Sequence, residues 1–121
     1  MFFDDLLTRF GESMGIEGLR FDENNLCEFE FERLGTLQLE KAEDHITVAL
    51  SQTYDRFKPD MARKALAQSH FDTIFRHPVR SGLSKDERLI FFVRLDQSQA
   101  DLSILEQVLD ELSERFRQLA A

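Results

Sequence analysis

The apolar positions change their period along the chain, and each change marks an element. Phe3, Leu6, Leu7, Phe10 and Met14 recur at helical spacing, with Asp4 and Asp5 near the positive end of the dipole, which predicts a first helix ending near Gly15. From Leu19 to Phe31 the period falls to two. Cys27, Phe29 and Phe31 point one way and Glu28, Glu30 and Glu32 the other, the pattern of a half-buried strand. A shorter strand is expected to begin at Phe21, ahead of an Asn24-Asn25 turn. Leu37 and Leu39 alternate with Thr36, Gln38 and Glu40, and Ile46, Val48 and Leu50 alternate with Thr47, Ala49 and Ser51. These are two further strands about the polar Glu43-Asp44 turn, so the first half reads as an antiparallel meander.

Pro59 suits the first turn of a helix, and Met61, Ala62, Ala65 and Leu66 then place small and apolar groups on one narrow face. Between Arg88 and Leu95 the chain is apolar on both sides, Leu89, Phe91, Val93 and Leu95 opposing Ile90 and Phe92. This predicts a central strand covered on both faces, paired with an earlier strand near Pro78 to Leu83. Ser98 and Asp101 have the spacing of a variant capping box. They precede a long stripe of Leu102, Leu105, Val108, Leu109, Leu112, Phe116 and Leu119, which closes the chain with a helix. The order α-β-β-β-α-β-β-α is that of an α+β fold built on an antiparallel twisted sheet, with residues 1–121 forming one domain.

Composition narrows the function. The chain has 121 residues, 42% of them hydrophobic, with twelve Phe but no Trp, and only two Pro and five Gly interrupt the patterning. That suits an ordered globule able to remove roughly two-thirds of its unfolded surface from water. A net charge of -8 repels nucleic-acid backbones and anionic membranes, leaving basic or amphipathic partners. Cys27 is the only cysteine, so no internal disulfide forms and a reducing compartment is expected. Met1-Phe2-Phe3-Asp4-Asp5 does not open like a signal peptide, and no apolar run reaches the length of a membrane span. A cytoplasmic protein is the expectation.

Catalytic chemistry finds little to stand on. His45, His70 and His77 are placed in a turn, at a helix end and at a loop start, none with a partner at metal-ligand spacing. Asp72 lies near His70 and His77, but solvated or capping histidines are the simpler account. Cys27 sits on the apolar side of its strand with no cation near in sequence, as an inert core sulfur does. The acidic pairs Asp4-Asp5, Asp22-Glu23 and Asp110-Glu111 are common in so acidic a chain and read as solvated surface. Gly11, Gly15 and Gly18 are too sparse for a phosphate loop and precede a strand instead of opening a helix. No catalytic residue, cofactor or metal is assigned. The Ala-rich face around Ala62 and Ala65, flanked by Arg63 and Lys64, is balanced between a dimer contact and packing on the sheet.

The opening from Phe10-Gly11 to Leu26-Cys27, the segment Gly35-Thr36-Leu37-Gln38-Leu39-Glu40, the strand Leu89-Ile90-Phe91-Phe92-Val93-Arg94-Leu95-Asp96 and the leucine-rich last helix resemble the type III secretion chaperones that serve individual secreted proteins. The likeness covers nearly the whole chain, and the last three of these carriers look most like the SycN branch, chaperone subunits for a secretion gatekeeper protein. It implies a bacterial cytoplasmic dimer, either a homodimer or a heterodimer with a related subunit, formed through the middle helix at Met61, Ala62, Ala65 and Leu66. It also implies that an effector or gatekeeper segment winds around the dimer in extended form, without ATP, nucleic acid or membrane insertion. Apolar patches and strand addition at a free sheet edge are the physical means. Leu6, Leu26, Phe29 and Leu37 are the expected client-binding residues, with Leu37 taken as an exposed patch residue. A regulatory or scaffold protein of the same fold, without an exported client, is the alternative.

Overall fold

The computed structural model describes residues 2–53, 77–84 and 88–120. Helix α1 spans Phe2–Ser13 and buries Phe3, Leu6, Leu7 and Phe10, the stripe its spacing predicts. It ends in a Schellman motif. Ile16 N–H reaches back to the Gly11 carbonyl at 2.8 Å and Gly15 N–H to that of Glu12 at 3.1 Å, while Gly15 adopts a φ of 75°. Gly11 admits this close return, because a Cβ there would stand 2.9 Å from the Ile16 carbonyl oxygen.

Residues 19–22 form no strand, contrary to the expectation at Phe21. They fold back as a covering loop in which Leu19 and Phe21 pack against the core. The Asp22 carboxylate accepts from the N–H groups of Asn24 (2.8 Å) and Leu26 (3.0 Å), and Asn25 turns the chain with a φ of 64°. These bonds delay the strand: β1 is Leu26–Phe31, followed by β2, Gly35–Lys41, and β3, His45–Thr53. After residues outside the description come β4, Arg80–Leu83, and β5, Arg88–Asp96, with the closing helix α2 at Leu102–Ala120.

The strand order is β1-β2-β3-β5-β4, and every neighbouring pair is antiparallel. The register pairs Phe29 with Leu37, Leu37 with Leu50 and Leu50 with Phe91, a row that crosses the sheet on one face. Both helices cover this inner face, with α2 over β3 and β5 and against α1. The core closes between them, where Phe10, Leu39, Ile46, Val48, Leu50, Phe91, Val93, Leu95, Leu105, Val108 and Leu112 have no exposed surface. Helix α2 is capped by Asp101 alone, whose carboxylate accepts the Ile104 N–H at 2.8 Å; Ser98 lies in the preceding turn.

Strand β5 departs from its expected two-sided burial. Leu89, Phe91, Val93 and Leu95 are closed beneath the helices, whereas on the outer face Ile90 and Phe92 are half-buried and Arg94 is exposed. The outer face is polar across much of its width. It carries Glu28, Glu30, Gln38 and Glu40 toward β1, and Arg88, Arg94 and Arg80 toward β4. Arg88 ties its end together, donating from Nε to Ser51 Oγ and from Nη2 to Thr36 Oγ1 and the Ser51 carbonyl, each at 3.0 Å.

Candidate functional site

Among the described residues β1 is one edge of the sheet and β4 the other, and β1 is the edge that carries aromatic side chains. The Lys41 N–H donates to the Asn25 carbonyl at 3.0 Å, so Asn25 turns its carbonyl toward β2 and the next residue turns away. Leu26 shows this. Its N–H is held by the Asp22 carboxylate at 3.0 Å, and its carbonyl accepts the Asp22 N–H at 2.9 Å, both on the side away from β2. Alternation then directs the N–H and C=O of Glu28 and Glu30 to that same outer side, where the described residues supply no strand.

The two faces of β1 differ in chemistry. On the inner face Cys27 is buried, but Phe29 and Phe31 are only half-buried, stacked edge to face with ring centroids 4.9 Å apart. Phe31 and Leu34 pack against the core. On the outer face stand Leu26, half-buried, and the exposed Glu28 and Glu30. Gln38 Nε2 donates to Glu28 Oε2 at 3.0 Å. At the turn end, Glu30, Phe31, Gly35, Thr36, Gln52 and Arg88 line a depression of about 380 Å³.

Of the residues expected to bind a client, Phe29 and Leu26 stand on this margin, on opposite faces of one strand. Leu37 does not: it is 0% exposed, closed between Phe29, Leu50 and the helices, which corrects its reading as an exposed patch residue. Truncating it would open a core cavity at about 2–5 kcal/mol instead of merely trimming a surface. Leu6 is buried as well, at the foot of a small cleft of about 210 Å³ between α1 and the start of α2, with Phe2, Arg9 and Leu102 around it. Phe31, which shares its periodicity with Phe29, stands on the same margin but is not among the residues expected from the sequence. The expected dimer residues Met61, Ala62, Ala65 and Leu66 lie outside the described residues.

The other candidate groups among the described residues have structural surroundings, while His70 and Asp72 lie outside the described residues. Burial pushes the Cys27 thiol up, as suits a sulfur enclosed in the core. His45 begins β3 instead of lying in the turn, its Nδ1 2.9 Å from an Asp44 carboxylate oxygen, and that contact lowers the Asp44 carboxyl. His77 is buried. Among the described residues no group of three His, Cys, Asp or Glu side chains is arranged to hold a metal ion. No described helix is long and apolar enough to cross a membrane.

No curated protein sequence matches the chain. Among solved structures, it is similar to the chaperone SycH of Yersinia pestis in complex with a fragment of YscM2, at 17% identity and a TM-score of 0.70, covering 97% of this chain and 98% of that one. It is also similar to the ExoU-SpcU complex of Pseudomonas aeruginosa, at 19% identity, TM-score 0.65, 96% and 93% covered. A third structure with this fold is YbjN from E. coli, at 10% identity, TM-score 0.61, 95% and 86% covered. At such identities the likeness establishes the fold. The family model of the type III secretory system chaperone SycN matches residues 2–119, and the chain belongs to that family of secretion chaperones.

Proposed function

We propose that the chain works in the bacterial cytoplasm as a dimer that takes an extended segment of an exported effector or gatekeeper protein onto the β1 margin. There it keeps the segment non-globular for export. The observation that carries this reading is the open backbone edge at Glu28 and Glu30 beside the half-uncovered Phe29 and Phe31. An extended chain laid there gains main-chain hydrogen bonds and covers two aromatic rings at once. Similar solved structures hold chaperones with partner proteins, SycH with a fragment of YscM2 and SpcU with ExoU. Leu26 and Phe29 are client contacts in this reading, Leu37 and Leu6 the floor that holds them in place, and Met61, Ala62, Ala65 and Leu66 the dimer contact. Binding uses no catalysis, nucleotide or metal.

Capture from a native lysate tests it. The chain is expected to retain the N-terminal region of a secreted protein, equally well with and without ATP or EDTA. Retention that needs ATP, or is abolished by EDTA, would overturn the reading. Stable capture of a protein that is never exported would favour a regulatory scaffold.

A further inference from the structure

The β1 margin restricts which extended segment fits it, and we infer that the chain selects a strand whose residues alternate between basic and apolar, read over a short window that starts at Glu28. The inference rests on the client-binding reading above and specifies the chemistry of the client.

The window has a fixed start. Leu26 is the first residue of β1, but Asp22 occupies both its N–H and its carbonyl on the open side, so an incoming strand finds no partner there. The next outward-facing pairs belong to Glu28 and Glu30, and β1 ends at Phe31. Pairing is therefore confined to the second half of the strand, which also prevents the register from slipping toward Leu26.

The side chains then dictate the sequence that fits. A residue opposite Glu28 or Glu30 shares the outer face with an exposed carboxylate, and Glu40 adds a further exposed carboxylate on β2, beside the Leu26 end. Lys or Arg at these positions meets opposite charge, whereas Asp or Glu meets like charge directly across the strand pair. The intervening residues lie on the inner face beside Phe29 and Phe31, whose half-exposed rings reward an apolar side chain. Basic residues opposite Glu28 and Glu30, each followed by an apolar one, satisfy both faces. The chain's net charge of -8 draws such a segment in from a distance but does not select its order.

Three synthetic octapeptides, acetylated and amidated, separate order from charge: alternating Lys-Val, alternating Glu-Val, and a blocked peptide with the Lys and Val grouped in runs. Each is titrated into the full-length protein while amide hydrogen exchange is followed residue by residue. The alternating basic peptide is expected to slow exchange at Glu28 and Glu30, and to bind about tenfold tighter than either other peptide. The double variant Glu28→Lys, Glu30→Lys, at two exposed positions, is expected to turn the preference toward the Glu-Val peptide. Equal binding of the alternating and blocked basic peptides, or protection that bypasses Glu28 and Glu30, overturns the inference. The exported protein captured from lysate keeps this apart from the broader reading. If the double variant retains it as tightly as the wild-type chain does, the strand chemistry is wrong while the chaperone role stands. If the wild-type chain captures no exported protein, the chaperone reading itself fails.

Discussion

Two phenylalanine pairs in this protein have nearly the same geometry and opposite surroundings. Phe91 and Phe116 meet edge to face with centroids 4.9 Å apart at 72°, and Phe29 and Phe31 do so at 4.9 Å and 66°. Phe91 is flanked by Leu50 on β3 and Ser81 on β4, and the α2 residue Phe116 roofs it; the two rings are 0% and 4% exposed. Among the described residues Phe29 has a neighbouring strand on one side only, and it is half-buried. The ring contact is equivalent, so what separates the pairs is the area still able to leave water. At the centre of the sheet the hydrophobic effect has been used by folding; at the β1 margin part of the apolar area is still exposed to water.

Truncation would expose this difference most strongly at Phe91. Phe91→Ala is expected to lower the unfolding free energy by about 3–5 kcal/mol, since it leaves a cavity walled by fixed neighbours. Chemical denaturation measures it directly, and a loss near 1 kcal/mol would mean that the core beneath α2 is loosely packed. Phe29→Ala should behave in reverse. Its half-exposed ring supports a smaller stability loss, about 1–1.5 kcal/mol, while affinity for the exported segment falls about tenfold as covered apolar area is lost. If Phe29→Ala destabilises as much as Phe91→Ala and leaves affinity unchanged, the margin is core and the contrast collapses.

The same contrast marks how far the sequence could be read. Period-two alternation placed Cys27, Phe29 and Phe31 together on their strand, and Leu37 and Leu39 together on theirs, because the pleat fixes that parity whatever covers it; the register then joins the two sets on one face. It could not distinguish Phe29, half-open, from Leu37, fully closed, because coverage depends on where helices distant in sequence come to lie. The apolar run at β5 misled for a related reason: Ile90 and Phe92 signal an outer face, but their half-burial beside the exposed Arg94 depends on how the sheet is covered. Polar brackets near strand ends were also hard to read. Asp22 both delays β1 and occupies its first outward pair, a role carried by hydrogen bonds to Asn24 and Leu26 that composition alone does not announce. The apolar stripes of α1 and α2 were legible, since each buries a face wide enough to set its own period, but α2 also buries Ser113 and Arg115, which no apolar periodicity marks.

The smallest effect is expected at the opposite end of β2 from the open turn, where a salt bridge secures the covered part of the sheet. Lys41 shares the inner face with Leu37 and Leu39, and its Nζ donates to both Asp4 carboxylate oxygens, at 2.8 and 2.9 Å, while lying 5.0 Å from the centre of the Phe21 ring. One ammonium thus joins α1, β2 and the covering loop. The Lys41 hydrogen bonds are the largest cause of a lowering of the Asp4 carboxyl from an ordinary 3.8 to about 2. A depressed folded-state value means that the contribution is complete above about pH 4 and disappears as pH falls from there toward 2. The Asp4 side chain is 43% exposed, so solvent screening holds the contribution to about 0.5–1 kcal/mol. Asp4→Asn should therefore be less stable than the parent chain by that amount at pH 7, with the gap closing as both are titrated to pH 2 and narrowing in 1 M salt. A gap that stays constant from pH 7 to pH 2 would show that shape and neutral hydrogen bonding, not charge, hold α1 to the sheet.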